Sequence, residues 1–382
     1  MKKIFYLFLG ITLLSLSSCF KIDNWDAPGC TLTGTVIDSY TGQPLLTSQN
    51  DWQLHIWERS FTGQPGGATN YQSIPIKQDG TYENTKLFAG TYDMLPTDGP
   101  FWQPDTTKSV ELKNKTVQDF KVTPYLVIDD YTYSMVTMPD SSVWAGRPGL
   151  YVKFKVKAPL LQNQVGGSTV TIPDLNNVKI FLSQTTFCGN GTDSRITISD
   201  YEDNGKGRID VNQSWANILN GSWTYAQHPE MGGLTADQNP ADAANHLSPE
   251  FDLLVPLKGG YTYYVRVGAC SNIGSIRYNY SPIHVIDNIP YVITATAGGG
   301  GTISPAGVIT LSQGGSQSFT FAPNIIPSII NVPDSVNVIN QVLVDGVNNP
   351  TAVSTGSYTF SNVTEDHSIA VSFIKTAKNS SN

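Results

Sequence analysis

TLTGTVIDSYTGQPL, residues 31–45, alternates polar and apolar side chains along its first half and then breaks at Thr41-Gly42. A period of two is the mark of a strand with one buried face, and the Thr-Gly pair supplies the turn that ends it. The pattern repeats downstream. DGTYENTKLFAGTYDMLP (79–96) holds two short strands around an Ala89-Gly90 turn, with Tyr82, Leu87 and Tyr92 spaced for one buried face. SVELKNKTVQDFKVTPY (109–125) sends Phe120 and Val122 one way and Lys121 the other.

Gly34, Val36, Asp38, Gly42, Pro44 and Leu45, then Asp79, Gly80, Tyr82, Leu87, Gly90 and Tyr92, reproduce the wording G-x-V-x-D-x-x-x-G-x-P-L, D-G-x-Y and L-x-x-G-x-Y. Residues 28–124 thereby resemble the carboxypeptidase-regulatory, transthyretin-like β-sandwich, a resemblance that specifies fold and is nearly silent on activity. With NWDAPG before the first strand, KLFAGTY in the middle and FKVTPYLVI at the exit, the chain looks more closely like the Bacteroidetes lipoproteins of domain of unknown function 3823. That resemblance implies a second β-sandwich and a place beside outer-membrane glycan uptake systems.

The N-terminus agrees with such a place. Lys2 and Lys3, the apolar run Ile4 to Leu14 and the small residues Ser17 and Ser18 have the order of an export signal. The run is shorter than the ~20 apolar residues that span a bilayer. Leu16-Ser17-Ser18-Cys19 looks like a bacterial lipobox, so residues 1–18 are read as a lipoprotein signal peptide, Cys19 as the lipidation site and 19–27 as an acylated tether. The alternative is an ordinary secretory signal followed by a cysteine of no special role. The lipoprotein reading places the protein on an outer membrane, lipid-anchored and exposed at the cell surface.

Only 14% of the 382 residues are charged, and no long amphipathic helix is written into the chain. The formal charge of −8 becomes −10 when Lys2 and Lys3 leave, because 21 basic residues then face the same 31 acids. That balance argues against nucleic acid as a partner. After Cys19, three cysteines remain: Cys30, Cys188 and Cys270. Cys188 and Cys270 share a module, and both a pair and a reduced trio fit their spacing.

Residues 125–288 open with LYVKFKVK (150–157) and VKIFLSQT (178–185) and close with FDLLVPL (251–257) and GYTYYVRVGAC (260–270). This reads as a second, fibronectin- or immunoglobulin-like sandwich. Its insert, 212–250, is too long for a bare loop in a compact domain. Within it Trp215, Ile218 and Leu219 have helical spacing, which favours packing for Trp215. Trp223 and Tyr225 alternate after Gly221, an arrangement that aims two rings in one direction. Aromatic rings of this kind take the C–H face of a sugar while amides and carboxylates bond its hydroxyls. Trp223, Tyr225, Trp215, Asn220, Gln227, Glu230 and Trp144 are therefore the glycan-binding candidates. Trp144, in SSVWAGRPG, reaches either the insert or the seam between modules, with the seam favoured. Trp102 is read as core or inter-module, and at least one of Trp52 and Trp57 as core.

Residues 289–376 resemble a small bacterial repeat related to the internalin B-repeat, on the wording GGTISPAG, GGSQSFTF, VLVDGV and YTFSNVTEDHSIAVSF. Asp366 and His367 belong to that wording and are read as structural. Residues 377–382 are read as a disordered tail. In SDYEDNGKGRID (199–210), Asp200, Glu202 and Asp203 are a weak calcium candidate. Their intervals do not fit the EF-hand loop, and a solvated turn is favoured, with no metal and no cofactor expected. The five scattered histidines, with no H-E-x-x-H and no G-x-S-x-G, speak against an enzyme. The expectation is an all-β chain of tandem sandwiches followed by a small repeat module. Its role is that of a surface lipoprotein binding polysaccharide or oligosaccharide for an outer-membrane uptake complex. The alternative is an assembly subunit that contacts the transporter and has no glycan site.

Overall fold

The computed structural model describes residues 27–60, 70–190, 207–327 and 335–377. Cys19 and the candidates Asp200, Glu202 and Asp203 lie outside them. The described chain is all-β, and its two α-helices, Trp215–Leu219 and Pro350–Thr355, are each under two turns long.

The quoted stretch forms the strand Cys30–Asp38, whose Leu32 and Val36 are fully buried. It lies between Thr81–Leu87 (antiparallel) and Phe120–Pro124 (parallel), with Lys115–Val117 also parallel to it. The facing sheet runs Gln72–Pro75, Gln53–Glu58, Gly90–Thr97, Thr107–Leu112. Two glycines of the motif answer to close approach. A Cβ on Gly34 would sit 1.9 Å from the Gln118 carbonyl oxygen, and Gly80, at φ +81°, would push one to 2.8 Å from the Leu45 carbonyl. Tyr82, Leu87 and Tyr92 do share the buried core, together with Trp52, which meets Phe101 edge-on at 5.0 Å.

The second sandwich sets the sheet Val127–Thr137, Pro148–Lys157, Phe251–Pro256 against the sheet Arg208–Gln213, Leu175–Ser183, Tyr263–Ser271. Two short strands, Tyr278–Tyr280 and His284–Ile286, complete the latter against Tyr263–Ser271. Leu150, Val152, Phe154, Phe251, Val265 and Val267 fill the space between them. Trp102, contributed by the first sandwich, ends in this second core, 5.1 Å from Tyr125.

The other face of Tyr263–Ser271 turns to the first sandwich, which is why an arginine there is buried. Arg266, 1% exposed, lies 3.7 Å from the Tyr280 ring centroid and donates to the Thr47 carbonyl at 2.8 Å. Gln78 crosses the same seam, donating to the Thr186 carbonyl and accepting from the Cys188 amide, both at 2.7 Å. Cys188 and Cys270 are buried free thiols in a cluster with Phe181, Tyr278 and Tyr280. Burial pushes each thiol up to about 11.

In the third module a five-stranded sheet, with Tyr291–Ala297 parallel to His367–Ala377, packs on the three strands Gly301–Ser304, Gln317–Pro323 and Ser357–Phe360. Asp366 ties this module inward, accepting from the Val292 amide and from Arg147, each at 3.0 Å.

Candidate functional site

Among the described strands Phe251–Pro256 pairs with Pro148–Lys157 alone, so its other edge needs a cover. The insert provides it. Ser214 caps the helix Trp215–Leu219 by accepting from the Asn217 amide, and Trp215 and Ile218 turn into the core. Three single-turn 3-10 helices follow, at Pro229–Met231, Ala236–Gln238 and Ala243–Asn245. Asn239 closes the edge: its amide nitrogen donates to the carbonyls of Glu250 (2.7 Å) and Tyr225 (3.2 Å), and its oxygen accepts from the Glu250 amide (2.8 Å).

The centre of this attachment is Asp252, which has no exposed surface. Its carboxylate accepts from the Tyr225 hydroxyl at 2.8 Å, the Tyr151 hydroxyl at 2.5 Å and the His228 amide at 2.9 Å. Burial, with the adjoining Asp252 charge, drives both phenols well above the usual tyrosine range, so they remain donors. Three charge-assisted hydrogen bonds make a firm anchor.

On that anchor Trp223 and Tyr225 stand as a pair, their planes within 15° of parallel and their centroids 6.4 Å apart. Both rings are half-buried and both lean on Phe251, at 6.0 and 5.4 Å. The alternation read from the sequence holds, but the pair is a shelf set into the sandwich wall rather than a free-standing platform. Trp215, 2% exposed, belongs to the core and has no free face to offer a ligand. Gln227 is likewise removed from the list of open polar groups. It is 3% exposed, its amide nitrogen donates to Glu250, and its oxygen accepts from the Leu234 amide at 3.1 Å. Asn220 and Glu230 remain at the surface, the first bonded to the Ser222 amide and the second 2.8 Å from His228 Nδ1. Trp144 lies on the insert side, and its neighbour Arg147 makes the contact across the seam. Trp144 packs with Met138, Tyr151, Leu254 and the insert's Met231, while Arg147, 5.6 Å from its ring, reaches Asp366 of the third module.

Sequence reasoning missed Asp252, Asn239 and Tyr151. A signal for Asp252 was available: in FDLLVPL it is an acid on the face opposite Phe251, Leu253 and Val255, in a strand buried on both sides. A second aromatic group was also missed. In QLHIWE, Leu54 and Ile56 enter the core, so His55 and Trp57 face outward. Tyr71, 52% exposed, stacks on His55 at 3.7 Å and lies 5.8 Å from Trp57. Among the described residues no group of three His, Cys, Asp or Glu side chains is arranged to hold a metal ion.

Residues 30–123 match the family model described as protein of unknown function (DUF3823), N-terminal domain. Among solved structures, a Bacteroides uniformis protein proposed to bind carbohydrate is 20% identical, the match covering 68% of this chain and 99% of that one, with a TM-score of 0.45. A DUF3823 family protein from Parabacteroides merdae is 20% identical over 69% of this chain and 100% of that one, with a TM-score of 0.43. One from Bacteroides ovatus is 17% identical over 68% and 98%, with a TM-score of 0.42. No curated protein matches the chain. Residues 30–123, then, are similar to the N-terminal domain of the DUF3823 proteins.

Proposed function

We propose that the protein is a non-catalytic, lipid-anchored surface protein that binds glycan on behalf of an outer-membrane polysaccharide uptake system. The observation that carries the binding role is the Trp223–Tyr225 shelf: two near-parallel rings backed by Phe251 and locked through Tyr225 to Asp252. A rigid aromatic surface loses little freedom when a sugar ring settles on it, which favours binding by cutting the ordering cost. Asn220 and Glu230, both at the surface, are the candidate hydroxyl partners. The location rests on the lipobox wording around Cys19, and the absence of catalysis on the lack of any nucleophile or metal motif in the sequence.

Affinity electrophoresis of the chain from Asp23 onward through gels containing different polysaccharides tests the binding. Retardation by at least one glycan, relieved in Trp223→Ala, is the expected result; a chain that no glycan retards refutes the reading. Incorporation of labelled palmitate, lost in Cys19→Ala, tests the anchor.

A second reading, an assembly subunit without a glycan site, draws on two observations. Each ring of the shelf gives part of its surface to Phe251, and the His55–Trp57–Tyr71 group lies outward on the first sandwich. It predicts that Trp57→Ala releases a co-purifying outer-membrane partner while glycan retardation is absent in every variant.

A further inference from the structure

A cleft of about 220 Å³ opens where the first sandwich meets the second, and no residue of the insert lines it. The turn that ends the first strand forms one wall, through Thr41, Gln43 and Leu46; Ile128, Tyr131 and Asn279 form the other. Ligand sites for drug-sized molecules run to ~300–1,000 Å³, so this space suits a single ring.

Its chemistry points to a neutral, hydroxylated ring. Asp38, the charged group of the lining, has its carboxylate committed to the Tyr40 and Thr41 amides and the Thr41 hydroxyl, at 2.7, 3.3 and 2.9 Å. Among the described residues no lysine or arginine lines the cleft, so these residues offer an anionic ligand no counter-charge. Asn279 is 2% exposed; its oxygen accepts from the Leu126 amide at 3.2 Å, and its buried amide nitrogen has no hydrogen-bond partner among the described residues. A buried N–H in that condition calls for an oxygen acceptor.

Tyr131 supplies the stacking surface. It is 39% exposed and is braced edge-on by Tyr133 at 6.0 Å. Tyr133 is itself held, stacked on His284 at 4.8 Å and bonded through its hydroxyl to Ser281 at 3.1 Å. An open tyrosine on an immobile base, beside an apolar wall and a buried amide, is the combination that receives the two faces of a sugar.

We propose that this inter-module cleft binds one neutral sugar ring, a subsite separate from the Trp223–Tyr225 shelf; the proposal rests on the glycan-binding reading and extends it. Saturation-transfer NMR on the chain from Asp23 onward, with the methyl glycosides of glucose, galactose, mannose and N-acetylglucosamine as probes, tests it. At least one probe should show transfer that falls fivefold or more in Tyr131→Ala and in Gln43→Trp, both changes at exposed positions, and that persists in Trp223→Ala. Transfer lost in Trp223→Ala but kept in the two cleft variants overturns the cleft and leaves the shelf standing. Transfer from none of the four probes also overturns the cleft, while polysaccharide retardation in gels reports on the shelf independently.

Discussion

Asp252 shows how much a single side chain can organise. Replacing it with alanine removes the carboxylate shared by Tyr151, Tyr225 and the His228 amide; the Tyr225 hydroxyl keeps the Asp252 carbonyl at 3.2 Å, and the other two donors lose their acceptor. Urea unfolding should register a loss of about 2–6 kcal/mol, because each buried donor left without an acceptor costs about 1–3 kcal/mol. Trp215 offers a contrast, because its ring packs in the core while its Nε1 has no hydrogen-bond partner among the described residues. Trp215→Ala should cost about 3–5 kcal/mol through the cavity it leaves. Trp215→Phe keeps most of the ring and removes the orphan N–H, so it should cost far less. Equal losses in the two variants would mean that the indole nitrogen, and not its volume, matters.

At the scale of elements, the strands of the first sandwich were legible because their alternation is local and glycines mark the turns, Gly42 and Gly80 at positive φ. The helix Trp215–Leu219 was legible for the same reason: its buried residues fall three apart. The rest of the insert was not. Its order comes from side chains that meet across long separations, Tyr225 with Asp252 and Asn239 with Glu250, and no periodicity announces such pairs. That is also why Gln227 looked like an open polar group. Trp102, read as core or inter-module, lies in the neighbouring module's core, whereas the burial of Arg266 against the Tyr280 ring depends on a seam that one strand's pattern cannot reveal. Because the insert is held through Asp252, limited proteolysis should leave residues 212–250 uncut in the wild type and cut them early in Asp252→Ala. Identical digestion of the two would show that Asn239 and the aromatic contacts suffice.

Across the whole molecule the seams differ in kind. Between the second and third modules, Arg147 and Asp366 pair at a partly exposed site, so Arg147→Ala should change stability by less than about 1 kcal/mol. Between the first and second, Asp51 is pulled out of water beside Arg277, 3.3 Å away. Burial raises its carboxyl to about 6, and this outweighs the attraction of Arg277 and Arg266, which lowers it. A carboxyl with a raised folded-state pKa binds its proton more tightly in the native state, so its contribution to stability falls as pH rises from about 4 to about 6 and is flat above. Melting temperatures should therefore move in favour of the wild type over Asp51→Asn as pH drops from 7 to 4.5. Parallel pH profiles would place the titration elsewhere.

The central claim, that the shelf on the second sandwich takes sugar, is tested most directly by calorimetry. The chain from Asp23 onward is titrated with oligosaccharides of whichever glycan retards it, alongside Trp223→Ala and Tyr225→Ala. By analogy with base stacking on aromatic platforms, each substitution should weaken binding by about 1–3 kcal/mol. Full affinity in both variants, or no heat from any glycan with the wild type, would contradict the account.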